Sequence, residues 1–285
     1  MDSSNFPALF RCADSASNRY QMYYLMMVGA EYGVLLCAAV LALPLFGSPN
    51  VLSACLFFLS ILLLLARAML RPEHSWYQCR ALAESVKTSS WRFMMRAAPF
   101  DGADAAEVFR QHLLDIFRNN LGAAAKVSPS WAAMAQITNE MLAKHDLPLE
   151  TRKTFYLNDR VQDQREWYAK KATANKKSSQ MWTAAAVAVY LVAAVLVLLR
   201  IEHPTWTNSP IEPLIVVAAA ILGWLQVKKF SDLSAAYTVA AHEIGLIAPS
   251  INNAGDELGL SRAVNDAEQA FSREHTLWIA RQTQE

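Results

Sequence analysis

The chain has 285 residues, of which 54% are hydrophobic and 18% are charged, and its formal net charge is +1. Two long stretches, 32–66 and 178–199, contain no Asp, Glu, Lys, Arg or His, whereas roughly 18 apolar residues already suffice to cross a bilayer. The sequence therefore excludes a plain cytosolic enzyme, and the near-zero charge argues against a general nucleic-acid binder, which would carry a basic excess.

The first apolar stretch is divided by Gly47-Ser48-Pro49-Asn50, a strong turn signal. It therefore predicts two membrane spans, at about 28–46 and 51–70. A third span is predicted at 181–199 and a shorter fourth span at 211–227. The predicted fold class is an all-α membrane protein with two transmembrane helical hairpins, four spans and extended cytoplasmic helices.

The remaining segments also have helical patterns, with no sustained period-2 alternation of the kind that strands show. Cytoplasmic helices are predicted at about 71–145, 150–180 and 228–282. The second of these is expected to run into the third span, and residues 230–246 to continue the fourth. Ala248-Pro249-Ser250, with Asn252, Asn253 and Gly255, is expected to break the chain before a last helix. The same order of elements occurs twice, which predicts two units, 1–149 and 150–285.

Cations predict the orientation, because Lys and Arg stay on the cytoplasmic side of a membrane. The tip of the first hairpin carries no Lys or Arg, and the connection of the second carries only Arg200 at its start. The opposite ends of the spans are rich in cations, so both termini and the middle segment are predicted to be cytoplasmic. Six of these cations are predicted to face anionic lipid, namely Lys170, Lys171, Lys176, Lys177, Lys228 and Lys229.

Enzyme motifs are missing from the sequence. The nine glycines form neither a phosphate-binding GxxxxGK[ST] nor a GxGxxG pattern, and neither GxSxG nor HExxH occurs. The four cysteines show no CxxC spacing, so they are expected to be neither disulfide-bonded nor metal-binding. We therefore expect no catalytic residue, no cofactor and no metal site.

Glu31 is the unusual residue of the first span, since a carboxylate in a membrane helix is costly and has a partner by default. It lies 17 residues before Ser48, and Arg67 lies 18 residues after Pro49. Equal rise per residue places the two side chains at nearly the same depth, which predicts an ion pair. An interfacial pair that fixes the hairpin and a charged gate are both open interpretations.

Gly29 and Gly33 form a GxxxG pattern in the same span, which lets two helix backbones approach closely. Helix packing is the predicted role, with chance spacing as the alternative. No span shows a repeated polar stripe, so a conducting path would need an apolar lining or an additional closed state.

Two stripes of mixed chemistry mark the cytoplasmic helices. One is Arg80, Glu84, Lys87 and Trp91, which share one helix face; either a solvated ion-pair face or buried packing would explain it. The other predicts helix-to-helix packing with a few specific hydrogen bonds, and its members are Tyr156, Arg160, Gln164, Trp167 and Lys171.

These residues give the sequence a family resemblance. The second stripe with Tyr168, and the later Glu243, Glu268, Glu274, His275 and Trp278, resembles the SLATT superfamily over about 150–280. SLATT proteins are bacterial two-transmembrane proteins named for their association with SMODS nucleotidyltransferases and SLOG sensors. Arg80, Glu84, Lys87 and Trp91 resemble a different SLATT subtype, so the chain resembles two subtypes in tandem.

The resemblance implies a bacterial inner-membrane effector of anti-phage conflict systems, one that forms or gates an oligomeric pore and thereby depolarises and arrests the cell. It also implies a homo-oligomer in the lipid bilayer, and a sensor or nucleotidyltransferase encoded separately as a possible partner. The alternative is a membrane-anchored scaffold that docks such a soluble partner. A transporter ranks lower, because midplane polar residues are few.

Overall fold

The computed structural model describes residues 2–43, 50–129, 133–203, 206 and 209–283. For Asn50 and for residues 272–283 it describes the backbone only. The described residues are mostly helical and contain no strand, which confirms the predicted all-α fold class. The helices are α1 (Ala8–Leu41), α2 (Asn50–Leu70), α3 (Pro72–Met94), α4 (Ala105–Asn119), α5 (Leu121–Ala124), α6 (Asn139–His145), α7 (Leu149–Tyr156), α8 (Asp163–Glu202), α9 (Ile211–Lys228), α10 (Phe230–Asn252) and α11 (Glu257–Thr283). A short 3-10 turn, Ser3–Asn5, precedes α1, and a π-helical turn, Leu157–Gln162, links α7 to α8.

Four helical stretches in the described part of the chain are long and apolar enough to cross a membrane: Ala8–Leu41, Val51–Met94, Leu149–Glu202 and Ile211–Asn252. Three of them contain a whole predicted span and the first contains residues 28–41 of the span predicted at 28–46, so the prediction of four spans is confirmed. The predicted hairpin turn at 47–49 and the predicted end of the first span at 46 lie outside the described residues. The second connection, predicted at 201–210 with its two prolines, is described only in part, because residues 204, 205, 207 and 208 also lie outside the described residues.

The helix ends differ from the predictions at three places. The helix of the first span, α1, ends at Leu41 and not at 46. Residues 230–246 do follow the fourth span in one helical stretch, but Lys229 adopts a left-handed conformation (φ 45°) that ends α9 and starts α10 anew. The predicted break before the last helix is present at 253–256, but Pro249 itself lies inside α10, which continues to Asn252. A proline removes only one backbone donor, and the buried Ile251 holds this last turn in the core.

The chain forms two compact units, and each unit draws on both predicted halves of the sequence. The unit that we call the core unit comprises Met1–Gln21, Pro72–Lys171 and Ala236–Glu285. The unit that we call the span unit comprises Met22–Arg71 and Ala172–Ala235. The predicted units 1–149 and 150–285 are halves of the sequence, whereas each compact unit combines segments from both halves.

The core unit has an aromatic centre. Phe93 packs against Phe100 and Phe109, and Trp91 packs against Phe6 and Tyr156. All five phenylalanine and tryptophan rings are at most 3% exposed. Burial of such large apolar rings dominates the stability of a domain core, so this centre holds α3, α4 and the segment before α1 together.

His112 at the edge of this centre makes the core unit sensitive to acid. Its ring lies edge-on to Phe100, and burial, assisted by the charge of Arg92, lowers its pKa from the ordinary 6.5. The unfolded chain therefore binds the proton more tightly than the folded chain does. Stability from neutral His112 is complete above about pH 6.5 and falls as the pH drops below it.

We therefore expect the His112→Gln variant to lose less stability than the parent chain between pH 7.5 and 5.5. Urea unfolding in detergent at several pH values measures this, since the variant removes only the imidazole proton from the balance. Parallel pH profiles for the two proteins would contradict the assignment.

Candidate functional site

The span unit contains the predicted ion pair. Arg67 Nη2 on α2 lies 3.1 Å from Glu31 Oε2 on α1, and the two side chains are 27% and 14% exposed. Each charge thus has its counter-charge within the apolar helices, which lowers the cost of placing either one there. Whether the pair fixes the hairpin or gates a path is a matter of its depth.

Neighbouring aromatic side chains indicate that depth. Tyr32 follows Glu31 in α1, and its hydroxyl lies against Gly223 of α9. The next residue, Trp224, pairs with Trp182 of α8 at 6.5 Å between ring centroids, and Lys228 Nζ lies 5.6 Å from the Trp224 centroid. Trp, Tyr and Lys gather at the membrane–water interface. The ion pair is therefore level with an aromatic belt, which favours an interfacial pair over a midplane gate.

The contact between Tyr32 and Gly223 predicts a steric effect. A Cβ on Gly223 would lie 2.2 Å from Tyr32 Oη and 2.8 Å from Cζ, although alanine is the better helix former by about 1 kcal/mol. We expect Gly223→Ala to lower the unfolding midpoint in detergent, because the whole phenol ring must move.

Gly29→Ala is the matched control, since a Cβ there meets no described atom within 4 Å. It should leave the midpoint unchanged or raise it. If Gly223→Ala proved as harmless as Gly29→Ala, the close approach of α1 and α9 would be refuted.

The openness of Gly29 extends to Gly33, where an added Cβ also meets no described atom within 4 Å. Their face of α1 packs on no other part of the described chain. The prediction that the GxxxG pattern packs helices stays a prediction, and it would concern another molecule.

The core unit contains the second cluster, centred on a buried ion pair between Arg160 and Glu268. Arg160 Nε donates to Glu268 Oε1 at 2.8 Å and Nη2 donates to Oε2 at 2.7 Å. Tyr156 donates its hydroxyl to the same Oε1 at 2.9 Å, and Arg160 Nη1 donates to Gln164 Oε1 at 3.1 Å. Two residues of the predicted stripe, Tyr156 and Arg160, therefore meet on the Glu268 carboxylate of α11, and Gln164 joins them through Arg160.

Burial governs the electrostatics of this pair. Arg160 is 3% exposed and Glu268 is fully buried. Burial alone would lower the pKa of Arg160, but the Glu268 carboxylate outweighs it and raises that pKa above its ordinary value. Burial, together with the negative charge of Glu268, raises the pKa of Tyr156 well above 10.0. The arginine and the tyrosine therefore stay protonated at any physiological pH.

Trp91 closes the cluster from the α3 side. The Arg160 guanidinium lies 5.8 Å from the Trp91 centroid and 4.8 Å from that of Phe271. Trp91 also contacts Tyr156 and Phe155, at 5.8 and 5.5 Å between centroids. Trp91, the last residue of the stripe that begins at Arg80, thus contacts Arg160 of the other stripe.

The rest of the first stripe is partly buried rather than fully solvated. Arg80 pairs with Glu84 at 2.5 Å and with Asp14 of α1 at 3.2 Å. Lys87 is half-buried, and burial, with the nearby Arg160 charge, lowers its pKa. The stripe therefore combines both interpretations, an ion-pair face at Arg80 and buried packing at Trp91.

The other predicted positions are distributed over the core unit. Trp167 is 38% exposed and stacks edge-on against Tyr237, as part of an aromatic trio with the buried Tyr168. Glu243 is exposed at the rim of a small cleft that Tyr168 and Phe271 also line. The side chains of three predicted positions lie outside the described residues, namely Glu274, His275 and Trp278.

The predicted lipid-facing lysines fall into two groups. Four are exposed on α8, with Lys171 Nζ 5.6 Å from the Trp167 centroid; they are Lys170, Lys171, Lys176 and Lys177. Lys228 and Lys229 are half-buried instead, and Lys228 lies over the rings of Trp224 and Phe230. Lipid contact remains a prediction for all six.

Two arginines that sequence reasoning did not single out connect the segments of the core unit. Arg152 is fully buried, donates to the carbonyl oxygens of Leu147 and Met95, and pairs with Glu257. Arg92 donates from Nε to Asn265 Oδ1 at 2.6 Å. No sequence spacing marks either arginine for this role, because Glu257 is 105 positions from Arg152 and Asn265 is 173 positions from Arg92.

The described residues do not include a group of three or more His, Cys, Asp or Glu side chains that could hold a metal ion. The four cysteines are free thiols; Cys12 and Cys79 are buried, and Cys37 and Cys55 are exposed. What the two charged clusters can do is bind helices together and carry charge in an apolar setting.

Two family models match the chain. Residues 7–153 match SLATT_3, the SMODS and SLOG-associating 2TM effector domain 3, and residues 156–278 match SLATT_1, the SMODS and SLOG-associating 2TM effector domain 1. No curated protein and no solved structure matches the chain significantly. Every residue of the Arg160 cluster from 156 onward lies in the second match, and Trp91 lies in the first.

Proposed function

The chain belongs to the SLATT superfamily of two-transmembrane effector domains, with two subtypes in tandem, and from this we propose that it is the membrane effector of a bacterial anti-phage system. SLATT domains are effector domains associated with conflict systems. The proposed activity is to form or gate an oligomeric pore in the inner membrane, so that the cell depolarises and stops growing.

The observation that carries this proposal is that four helices are able to span a membrane and that the span unit also holds an ion pair. Glu31 and Arg67 neutralise each other at 3.1 Å near the interface, and ionisable residues within membrane helices are rare and are functional candidates by default. The lipid-exposed surface of α2 is strongly apolar, with Phe58 and Leu62 exposed by 69% and 62%, as a helix in hydrocarbon requires.

The proposed orientation places both termini and the long middle segment in the cytoplasm. Its support is the distribution of Lys and Arg, which avoid the hairpin tips and gather at the opposite ends of the spans. In this orientation the core unit is cytoplasmic, where a separately encoded sensor or nucleotidyltransferase would reach it.

The test is induction of the full chain in a bacterium with a potential-sensitive dye as the readout. We expect membrane potential to collapse and growth to stop, either on induction alone or on co-expression of the genomic neighbours. Glu31→Gln should change the conductance of the purified protein in liposomes if the pair is a gate, and leave it unchanged if the pair only fixes the hairpin.

Glu107→Gln on the surface of α4 is the matched control, because it removes a carboxylate that is 57% exposed. Persistent potential under every condition, together with a soluble protein that co-purifies at fixed stoichiometry, would reject the pore and favour the scaffold. Native mass spectrometry in detergent counts the copies, which the proposal requires to exceed one.

A further inference from the structure

One face of α2 turns polar side chains inward. The shielded positions of α2 recur in steps of three and four residues: Ser53, Leu56, Ser60, Leu63, and then the neighbours Ala66 and Arg67. Ser53 and Ser60 are only 6% and 7% exposed. We call Ser53, Ser60 and Arg67 the seam; its members are seven residues apart and share one helix face.

The seam spans much of a membrane. At 1.5 Å per residue its members are about 10 Å apart, so the seam covers about 21 Å of a hydrocarbon core about 30 Å thick. Its Arg67 end is occupied by the ion pair with Glu31. The remaining faces of α2 carry exposed Leu, Ile and Phe side chains, so polarity in this span is confined to the interior.

The hydrogen bonding of the seam is incomplete. Ser60 donates to the carbonyl oxygen of Phe57 at 2.8 Å. Ser53 Oγ and Arg67 Nε, by contrast, are shielded from solvent and have no hydrogen-bond partner in the described part of the chain. Buried polar groups in proteins are almost always paired, and packing alone would be served as well by alanine at position 53. Two unpaired groups on one line therefore point to hydration in another state of the span unit.

Resting on the proposed effector function, we propose that the seam lines the water-filled path by which small ions cross the membrane, with one such path in the span unit of each chain of the oligomer. In the packed state the serines are buried and Glu31 neutralises Arg67. When the helices part, water and ions take up the free hydrogen-bonding capacity of Ser53 and Arg67, as hydroxyl and charged linings do in channels.

Thiol labelling of the full chain tests this proposal. In a background carrying Cys37→Ala and Cys55→Ala, single Ser53→Cys and Ser60→Cys variants are reconstituted in liposomes and treated with a membrane-impermeant, cationic thiosulfonate. The matched control is the chain that keeps only native Cys55 of the two, since Cys55 is exposed on the lipid side of the same helix. Cys12 and Cys79, buried in the core unit, stay in every variant.

We expect the Ser53→Cys and Ser60→Cys thiols to react at least about tenfold faster than Cys55, because only a hydrated thiolate reacts. The bound cation should reduce ion flux by more than about half. Labelling no faster than that of Cys55 overturns the proposal, even where flux is present.

The labelling rates separate this proposal from the proposed function. Flux without fast labelling leaves the effector function standing and refutes the seam as its path. Fast labelling without flux supports the hydrated seam while refuting pore formation by this chain alone. Ion flux that stays unchanged when Ser60→Cys is fully labelled also refutes the seam as the ion path.

Discussion

Replacing Glu268 with glutamine will destabilise the core unit by about 3–5 kcal/mol, because it leaves the Arg160 guanidinium buried without its counter-charge. Glu268 is fully buried and accepts hydrogen bonds from Arg160 and Tyr156. Glutamine has the same shape, so the loss reports the charge and not a cavity. In a core of this size the thermal midpoint in detergent should fall by roughly 6–20 °C.

The matched variants define what that loss means. Glu107→Gln removes one partner of the solvated pair with Arg110 and should leave the midpoint unchanged. Replacing the whole cluster, with Tyr156→Phe, Arg160→Met and Glu268→Met together, should recover most of the loss, since no unpaired charge stays buried. A Glu268→Gln midpoint equal to that of the parent would show that the carboxylate is not buried as described.

We expect Trp91→Ala to lower the free energy of unfolding of the core unit by about 3–5 kcal/mol, because a large buried ring is lost. Trp91 is 2% exposed and packs against Phe6, Phe155 and Tyr156. Phe155 and Tyr156 flank the start of the second family match, so the cavity should loosen both matched segments. Limited proteolysis should then cut within α3 and within α11 at the same rate.

Trp91→Phe serves as the control for this prediction. Its indole Nε1 has no hydrogen-bond partner in the described residues, so phenylalanine forfeits no hydrogen bond and should cost less than about 2 kcal/mol. If Trp91→Ala opened α3 while α11 stayed protected, the two matched segments would be independent folding units.

The two charged clusters differ in what burial requires of them. Arg160 has its carboxylate, an amide and two rings around it, so its position is fixed by several partners at once. Arg67 has one carboxylate and an unpaired Nε. A charge that is held by several partners specifies one arrangement of helices, whereas an incompletely paired charge can exchange protein partners for water. This contrast suits a rigid core unit and a span unit that changes state.

Much of the architecture followed from composition along the chain. Uncharged stretches of 35 and 22 residues (32–66 and 178–199) have no place in water, so the spans and the all-α class were predictable to within several residues. Helix ends were less so, since Lys229 and Pro249 show that a single backbone conformation or a buried neighbour decides where a helix stops.

Contacts between distant segments were predictable only where counting suffices. The Glu31–Arg67 pair follows from equal helical rise on both sides of one turn. Glu268 stood out through family resemblance, but no spacing rule connects it to Arg160, 108 positions away. The seam escaped the sequence analysis, which found no repeated polar stripe, because two serines and one arginine are hidden among leucines until burial is known.

Hydrophobicity, helical period and family residues are local properties of a chain, so they were enough to predict that this protein crosses a membrane, that it is helical and that it joins two SLATT subtypes. The tertiary structure alone decided that the compact units interleave the two halves, that Arg152 and Arg160 are buried, and that Ser53, Ser60 and Arg67 face inward. Burial and pairing depend on which distant helices meet, and that is settled by packing, with no trace in any single segment.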